Sequence, residues 1–165
     1  MLNKSYFLKF SLICLVFLAS CGVRKPNTYK DAYAAKIAMA MANLKNKSLY
    51  NFITNWTGTP YKLGGFDKKG IDCSGFALQL QKQIYNKQLP RRSVDQSNVI
   101  KSKNLDKLKE GDLIFFSFGG KEIDHVGVFL NGNYFVHAST TRGVIVDDLS
   151  LPIYQKSLIK AGSIN

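Results

Sequence analysis

Residues 124–140 read DHVGVFLNGNYFVHAST, two apolar runs rich in β-branched and aromatic residues on either side of Asn131, Gly132 and Asn133. Such runs around an Asn-Gly pair form a β-hairpin, because the turn needs positive φ angles that Asn and Gly adopt at little cost. A hairpin commits the chain to antiparallel pairing. Further strand patterns flank it, LIFFSF at 113–118 before and, as a last strand, either RGVIVDDL at 142–149 or SLIKAGSI at 157–164. Upstream the period changes from two to that of a helix. In YKDAYAAKIAMAMANLKNK (29–47) the apolar residues at 34, 37, 38, 41 and 44 predict a helix that is either a stalk or packed on the domain. SLYNFITNW (48–56) predicts a second helix, and a third runs from Cys73 to about Lys87, with Phe76, Leu80 and Ile84 on one face and Asp72 able to cap it. TGTPYKLGGFDKKG (57–70) is a loop by its Gly and Pro content, and LPRRSVDQSN (89–98) is a connector or short helix. Helices first and strands afterwards give an α+β domain with an antiparallel sheet.

The N-terminus carries a different signal. FSLICLVFLAS (10–20) follows Lys4 and Lys9 and is too short to span a bilayer as a mature helix, which reads as a signal peptide. The tetrad Leu18, Ala19, Ser20 and Cys21 resembles the bacterial lipobox, in which the cysteine is acylated and becomes the first mature residue. The expected organisation is a signal peptide at 1–20, a lipidated tether and helix at 21–47 and a domain at 48–165. The formal charge of +12 falls to about +10 without Lys4 and Lys9, and favours an anionic partner. For an exported lipoprotein that means acidic membrane surface or cell-wall polymer, with no role for nucleic acid.

Cleavage before Cys21 removes Cys14, and acylation uses Cys21 itself, so Cys73 is left without a disulfide partner in an oxidising compartment. Cys73 is then either a buried inert hydrophobe or a thiol with a task. At a helix start, unpaired backbone N–H groups and the helix dipole favour a thiolate, and fast alkylation near pH 6 is the expected sign of one. Nucleophilic catalysis also needs an imidazole and a group to orient it. The chain has two histidines, His125 and His137, one in each strand of the hairpin. If Gly132 takes the left-handed place of a three-residue loop over 130–132, position 129 pairs with 133 and His125 faces His137, with Cβ atoms about 4.5–5.5 Å apart. A two-residue loop at Asn131-Gly132 would put the rings on opposite faces instead. Zinc is a competing use for one Cys and two His, but the close paired spacing usual for zinc is missing. No metal or cofactor is needed.

GTPYKLGG, IDCSGF, LPRRSVDQ, LKEGDLIFF, DHVGVFL and YFVHAS, in that order, resemble the NlpC/P60 family of cell-wall cysteine peptidases over roughly residues 48–162. The resemblance implies a papain-like α+β fold. It also implies cleavage of peptidoglycan stem peptides at the γ-D-glutamyl to diamino acid bond or the D,D crosslink. By position it makes Cys73 the nucleophile, His125 the base and His137 the orienting residue. Tyr61 would help form the oxyanion site, and Asp72, Ser74 and Ser93 would bind substrate, with Arg91 matching a recurrent arginine. Tyr61 as a packing lid and Asp72 as a plain helix cap are the alternative uses of those residues. Leu63 stands where many members carry an aromatic residue. The expectation is a single-domain lipoprotein held in the envelope, at the outer membrane facing the periplasm, with the bilayer as its partner through acylated Cys21. The alternatives are a non-catalytic envelope protein that binds stem peptides, and a thiol acyltransferase or amidase on the same fold.

Overall fold

The computed structural model describes residues 28–164, so the expected signal peptide and acylated Cys21 lie outside the described residues. Among the described residues five α-helices and eight strands follow in the order α1 (Thr28–Ala42), α2 (Lys47–Trp56), β1 (Phe66–Asp67), β2 (Gly70–Ile71), α3 (Cys73–Tyr85), α4 (Ser93–Asn98), β3 (Ile100–Ser102), β4 (Leu113–Phe116), β5 (His125–Asn131), β6 (Tyr134–Ser139), β7 (Gly143–Asp148), α5 (Pro152–Ser157) and β8 (Leu158–Ile164), with a 3-10 turn at Leu105–Lys107 between β3 and β4. The α+β class expected from the sequence is what the chain adopts. β1 and β2 form a small ribbon, and the other six strands form an antiparallel sheet in the order β3-β8-β4-β5-β6-β7. Both candidates for a last strand are strands, on opposite sides of the central hairpin.

Strand alternation divides the interior in two. Leu113, Phe115, Val126, Val128, Leu130, Val136 and Ala138 point to the face covered by the helices, where Leu49, Phe52, Ile53, Trp56, Phe76 and Leu80 meet them. Ile114, Phe116, Phe129 and Phe135 point to the other face, against Leu149, Tyr154 and Ala161. α2 supplies its apolar stripe at i, i+3, i+4 and i+7, and starts where the Asn46 side chain accepts from the backbone N–H of Ser48 and Leu49 at 2.9 and 3.2 Å. Of the two uses weighed for α1, it takes the packed one. Ile37 and Met41 lie against the main core, Ala40 and Leu44 are buried, and Asn131 Nδ2 donates to the Ala40 carbonyl at 2.8 Å. Its inner face differs from the predicted stripe, since Ala34 and Ala38 point outward while Tyr33 and Ala40 turn in. An alanine carries too little apolar area to fix which face of a helix is buried.

The hairpin register also differs from the expected one. Phe129 pairs with Phe135 and Val128 with Val136, and a bulge at Leu130 lets Asn131 pair with Tyr134 across a turn in which Gly132 takes φ +56°. Relative to the expected pairing the strands slip by two residues. An even slip keeps every side chain on its face, so His125 and His137 remain on one side of the sheet, as diagonal rather than directly opposed neighbours.

Candidate active site

α3 begins at Cys73 because Asp72 ends the extended ribbon and caps the helix, its Oδ1 accepting the Gly75 N–H at 2.7 Å. The other oxygen, Oδ2, accepts the Gly64 N–H at 2.8 Å. Arg91 closes the set, with Nη1 and Nη2 donating to Asp72 Oδ1 and Oδ2 at 2.8 and 2.7 Å, Nη1 to Ser74 Oγ at 2.9 Å and Nη2 to the Gly65 carbonyl at 3.1 Å. Burial works against ionisation of Asp72, but Arg91 and the two amides hold its carboxyl below the usual range. Both oxygens are engaged within the chain, so any substrate ammonium here would have to share them. Cys73, Asp72, Ser74, Arg91, Ser93 and Tyr61 line one cavity of about 370 Å³. Leu63, at its mouth, is 82% exposed.

An adjoining cavity of about 500 Å³ holds the histidines, and Tyr61 and Asp124 line both. His125 Nε2 and His137 Nδ1 lie 2.7 Å apart with the rings nearly perpendicular. On the far side of His137, Nε2 is 3.4 Å from Asp147 Oδ2 on β7. Asp147 is 1% exposed and also accepts from Tyr33, Arg142 and Tyr154. Burial opposes its charge, yet His137, Arg142, Tyr154 and Tyr33 together hold its carboxyl well below the usual carboxylate range. An ionised Asp147 can only accept, and this sets the protons along the row. His137 Nε2 carries a proton toward Asp147, its Nδ1 is therefore bare, and His125 Nε2 donates to that Nδ1. His125 Nδ1 is left unprotonated and is the ring nitrogen able to accept a proton.

Two sets of influences act on the Cys73 thiol. It is 5% exposed, and burial pushes it up to about 11, with the Asp72 carboxylate adding to the shift and the backbone N–H groups of Val126, Ser74 and Cys73 itself working against it. Burial, and then His137, push His125 down to about 3. The site at rest thus favours an uncharged thiol and imidazole, which reverses the thiolate expected from the helix start alone. Iodoacetamide at pH 6 is expected to modify Cys73 on the order of 100-fold more slowly than an ordinary cysteine, the rate still climbing above pH 9. Mass spectrometry of alkylation against pH checks this, and a plateau below pH 7 would show a preformed ion pair instead. Any activity that needs one proton shared by this pair should be nearly flat from about pH 5 to about pH 9.

Sequence reasoning brought six residues of the first cavity and both histidines to the site but did not find Asp147, Arg142, Tyr154 or Tyr33. The signal for Asp147 was an acid on the apolar strand VIVDD, on the same face as the position that pairs with His137. Phe118, the last residue of the strand pattern LIFFSF, is 43% exposed and packs edge-on against His125 at 5.5 Å. It lies past the end of β4, where Phe118 N donates to Asp124 at 3.0 Å.

The NlpC/P60 family signature matches residues 58–163. The chain belongs to the NlpC/P60 family. It is 36% identical over 146 residues to a protein of Haemophilus influenzae named a probable endopeptidase, covering 86% of this chain and 88% of that one. Over 102 residues it is 41% identical to the murein DD-endopeptidase MepS/murein LD-carboxypeptidase of Escherichia coli K12, covering 62% of this chain and 54% of that one. A crystal structure of an NlpC/P60 family protein from Bacillus cereus superposes with a TM-score of 0.66 at 29% identity, covering 72% of this chain and 40% of that one. This NlpC/P60 chain is thus an enzyme of the family's cysteine-peptidase class, on the family's α+β fold. In it, the row from Asp147 through His137 to His125 ends in a cavity that adjoins the one lined by Cys73.

Proposed function

We propose that the chain hydrolyses peptide bonds in peptidoglycan stem peptides, with Cys73 as nucleophile, His125 as base and His137 as the group that orients it. The observation that carries this reading is the run of hydrogen-bonded groups from buried Asp147 to His125, which leaves Nδ1 basic beside a cavity lined by a free thiol. In the cycle, His125 Nδ1 takes the thiol proton as sulfur attacks the scissile carbonyl. The oxyanion receives hydrogen bonds from the Cys73 backbone N–H and the Tyr61 hydroxyl, which has no other partner among the described residues. The imidazolium then protonates the departing amine, leaving a thioester. Water, deprotonated by His125, attacks the thioester and releases the acid and the thiol. Creating charge only during attack suits a buried site, because the thiolate and imidazolium neutralise each other as they form.

The acyl half of the substrate is assigned to the cavity of Asp72, Ser74, Arg91 and Ser93, and the leaving half to the histidine side. The bond is the D,D crosslink or the γ-D-glutamyl to diamino acid bond, and the anchor is acylated Cys21 in the outer membrane, facing the periplasm. Digestion of purified muropeptides with product masses read by mass spectrometry tests the reaction and names the bond. Cleavage by the wild type is expected, while binding without cleavage, or transfer to an added amine in place of water, would replace this reading by a binding protein or an acyltransferase. In the same cells the mature N-terminus should be a lipid-bearing Cys21 in the membrane fraction, and an unmodified N-terminus elsewhere would refute the anchor.

A further inference from the structure

The peptidase reading gives roles to His125 and His137, but it does not explain why a helix outside the family's segment touches the same row of groups. α1 ends at Ala42 and the family match begins at residue 58. Yet half-buried Tyr33 of α1 donates its hydroxyl to Asp147 Oδ1 at 2.6 Å, across 114 residues of sequence. The placement is held at several points. Ile37 and Met41 pack on the main core, Asn131 holds the Ala40 carbonyl at 2.8 Å, and past the helix Glu110 accepts the backbone N–H of Lys45 and Asn46 at 2.9 and 3.2 Å.

We propose that Tyr33 is a positioning residue of the active site, acting through Asp147 to keep His137 in the tautomer that makes His125 Nδ1 basic. The chemistry follows from counting acceptor sites. Asp147 Oδ2 faces His137, Arg142 and Tyr154, while Oδ1 has Tyr33 at 2.6 Å and Arg142 Nη1 only at 3.5 Å. Tyr33 is therefore the one well-placed donor that Oδ1 has among the described residues. A carboxylate buried with one oxygen underused can rotate or take a proton, and either change removes the acceptor that fixes His137. The helix that joins the N-terminal segment to the domain is in this way part of the machinery that sets a proton two histidines away. This inference rests on the row from Asp147 to His125 serving Cys73.

The test is Tyr33→Phe in the full chain, which removes the hydroxyl and keeps the ring. On crosslinked muropeptides kcat is expected to fall roughly tenfold with KM within twofold, because the substrate cavities are untouched. The melting temperature should stay within about 2 °C of wild type, since one partly exposed hydrogen bond is lost. The downfield ring N–H resonance of His137 in 15N-labelled protein should shift. Ile37→Ala loosens the same helix without removing the hydroxyl, so it should lower the melting temperature more than Tyr33→Phe and kcat less. Unchanged kcat and an unmoved His137 resonance in Tyr33→Phe would overturn the proposal. So would an equal kcat loss in both variants with that resonance unmoved, since packing alone would then explain it. If the wild type cleaves no muropeptide, the peptidase reading fails separately, and the resonance still decides whether Tyr33 sets the His137 proton.

Discussion

Cys73→Ala is expected to abolish muropeptide cleavage while the protein stays folded and still binds substrate. The substitution deletes one sulfur atom from a position that is 5% exposed, against a helix whose cap, Asp72, is unaffected. Its structural cost is therefore small, and the melting temperature is the control. His125→Ala should reduce kcat by on the order of 10²–10⁴-fold or more, because in the proposed cycle proton transfer both to and from sulfur passes through this ring. Residual cleavage above background in Cys73→Ala would mean that another group is the nucleophile.

Asp147→Asn is expected to lower kcat roughly tenfold or more with little change in KM, because it removes the negative charge behind the two histidines. The amide keeps the shape of the carboxylate. The asparagine oxygen takes the place of Oδ2, where Arg142, Tyr154 and His137 Nε2 donate, and its NH₂ takes the place of Oδ1, where the Tyr33 hydroxyl must turn to accept. The proton on His137 Nε2 therefore stays, but the negative charge that favours a cation on the histidine row is gone. In the proposed cycle this raises the cost of the imidazolium that forms on His125 as the thiol gives up its proton. Steady-state kinetics of Asp147→Asn decides the matter, and a loss of less than about threefold would reduce Asp147 to a structural anchor for Arg142. Leu63→Ala is the contrasting case, since a side chain 82% exposed at the cavity mouth can affect KM without altering proton positions.

The parts of this enzyme that were legible in the sequence are those governed by local pattern. Asp72 and Cys73 announce a capped helix start, and the period-2 runs around Asn131-Gly132-Asn133 announce the hairpin, one of whose two candidate loops puts both histidines on the same face. The loop also set the limit of that reading. A turn closed by Asn131 and Tyr134 together with a one-residue bulge at Leu130 slipped the pairing by two residues, and a bulge is chosen by the backbone of both strands together rather than by any one residue. Asp147 was hidden for another reason. Its partners Tyr33, His137, Arg142 and Tyr154 come from α1, β6, the turn before β7 and α5, and nothing in the spacing of four such segments shows that they converge. The helix start favours a thiolate and burial favours the neutral thiol of Cys73, and a helix start is a local property while burial is not. Only the packed sheet shows how little water reaches the sulfur.

The core has a practical lesson for anyone who would trim this enzyme. Residues 58–163 are what the family shares, but Leu44, Leu49, Phe52, Ile53 and Trp56 precede them and are all buried against the same face of the sheet as Phe76 and Leu80. A chain cut at the family's boundary would keep every group that does chemistry and lose one wall of its interior. The freed surface, with the rings of Phe76 and its neighbours laid open to solvent, is the kind that sticks to its own copies. The boundary of resemblance and the boundary of folding therefore fall at different places in this chain, and the smallest piece worth expressing begins upstream of Tyr33.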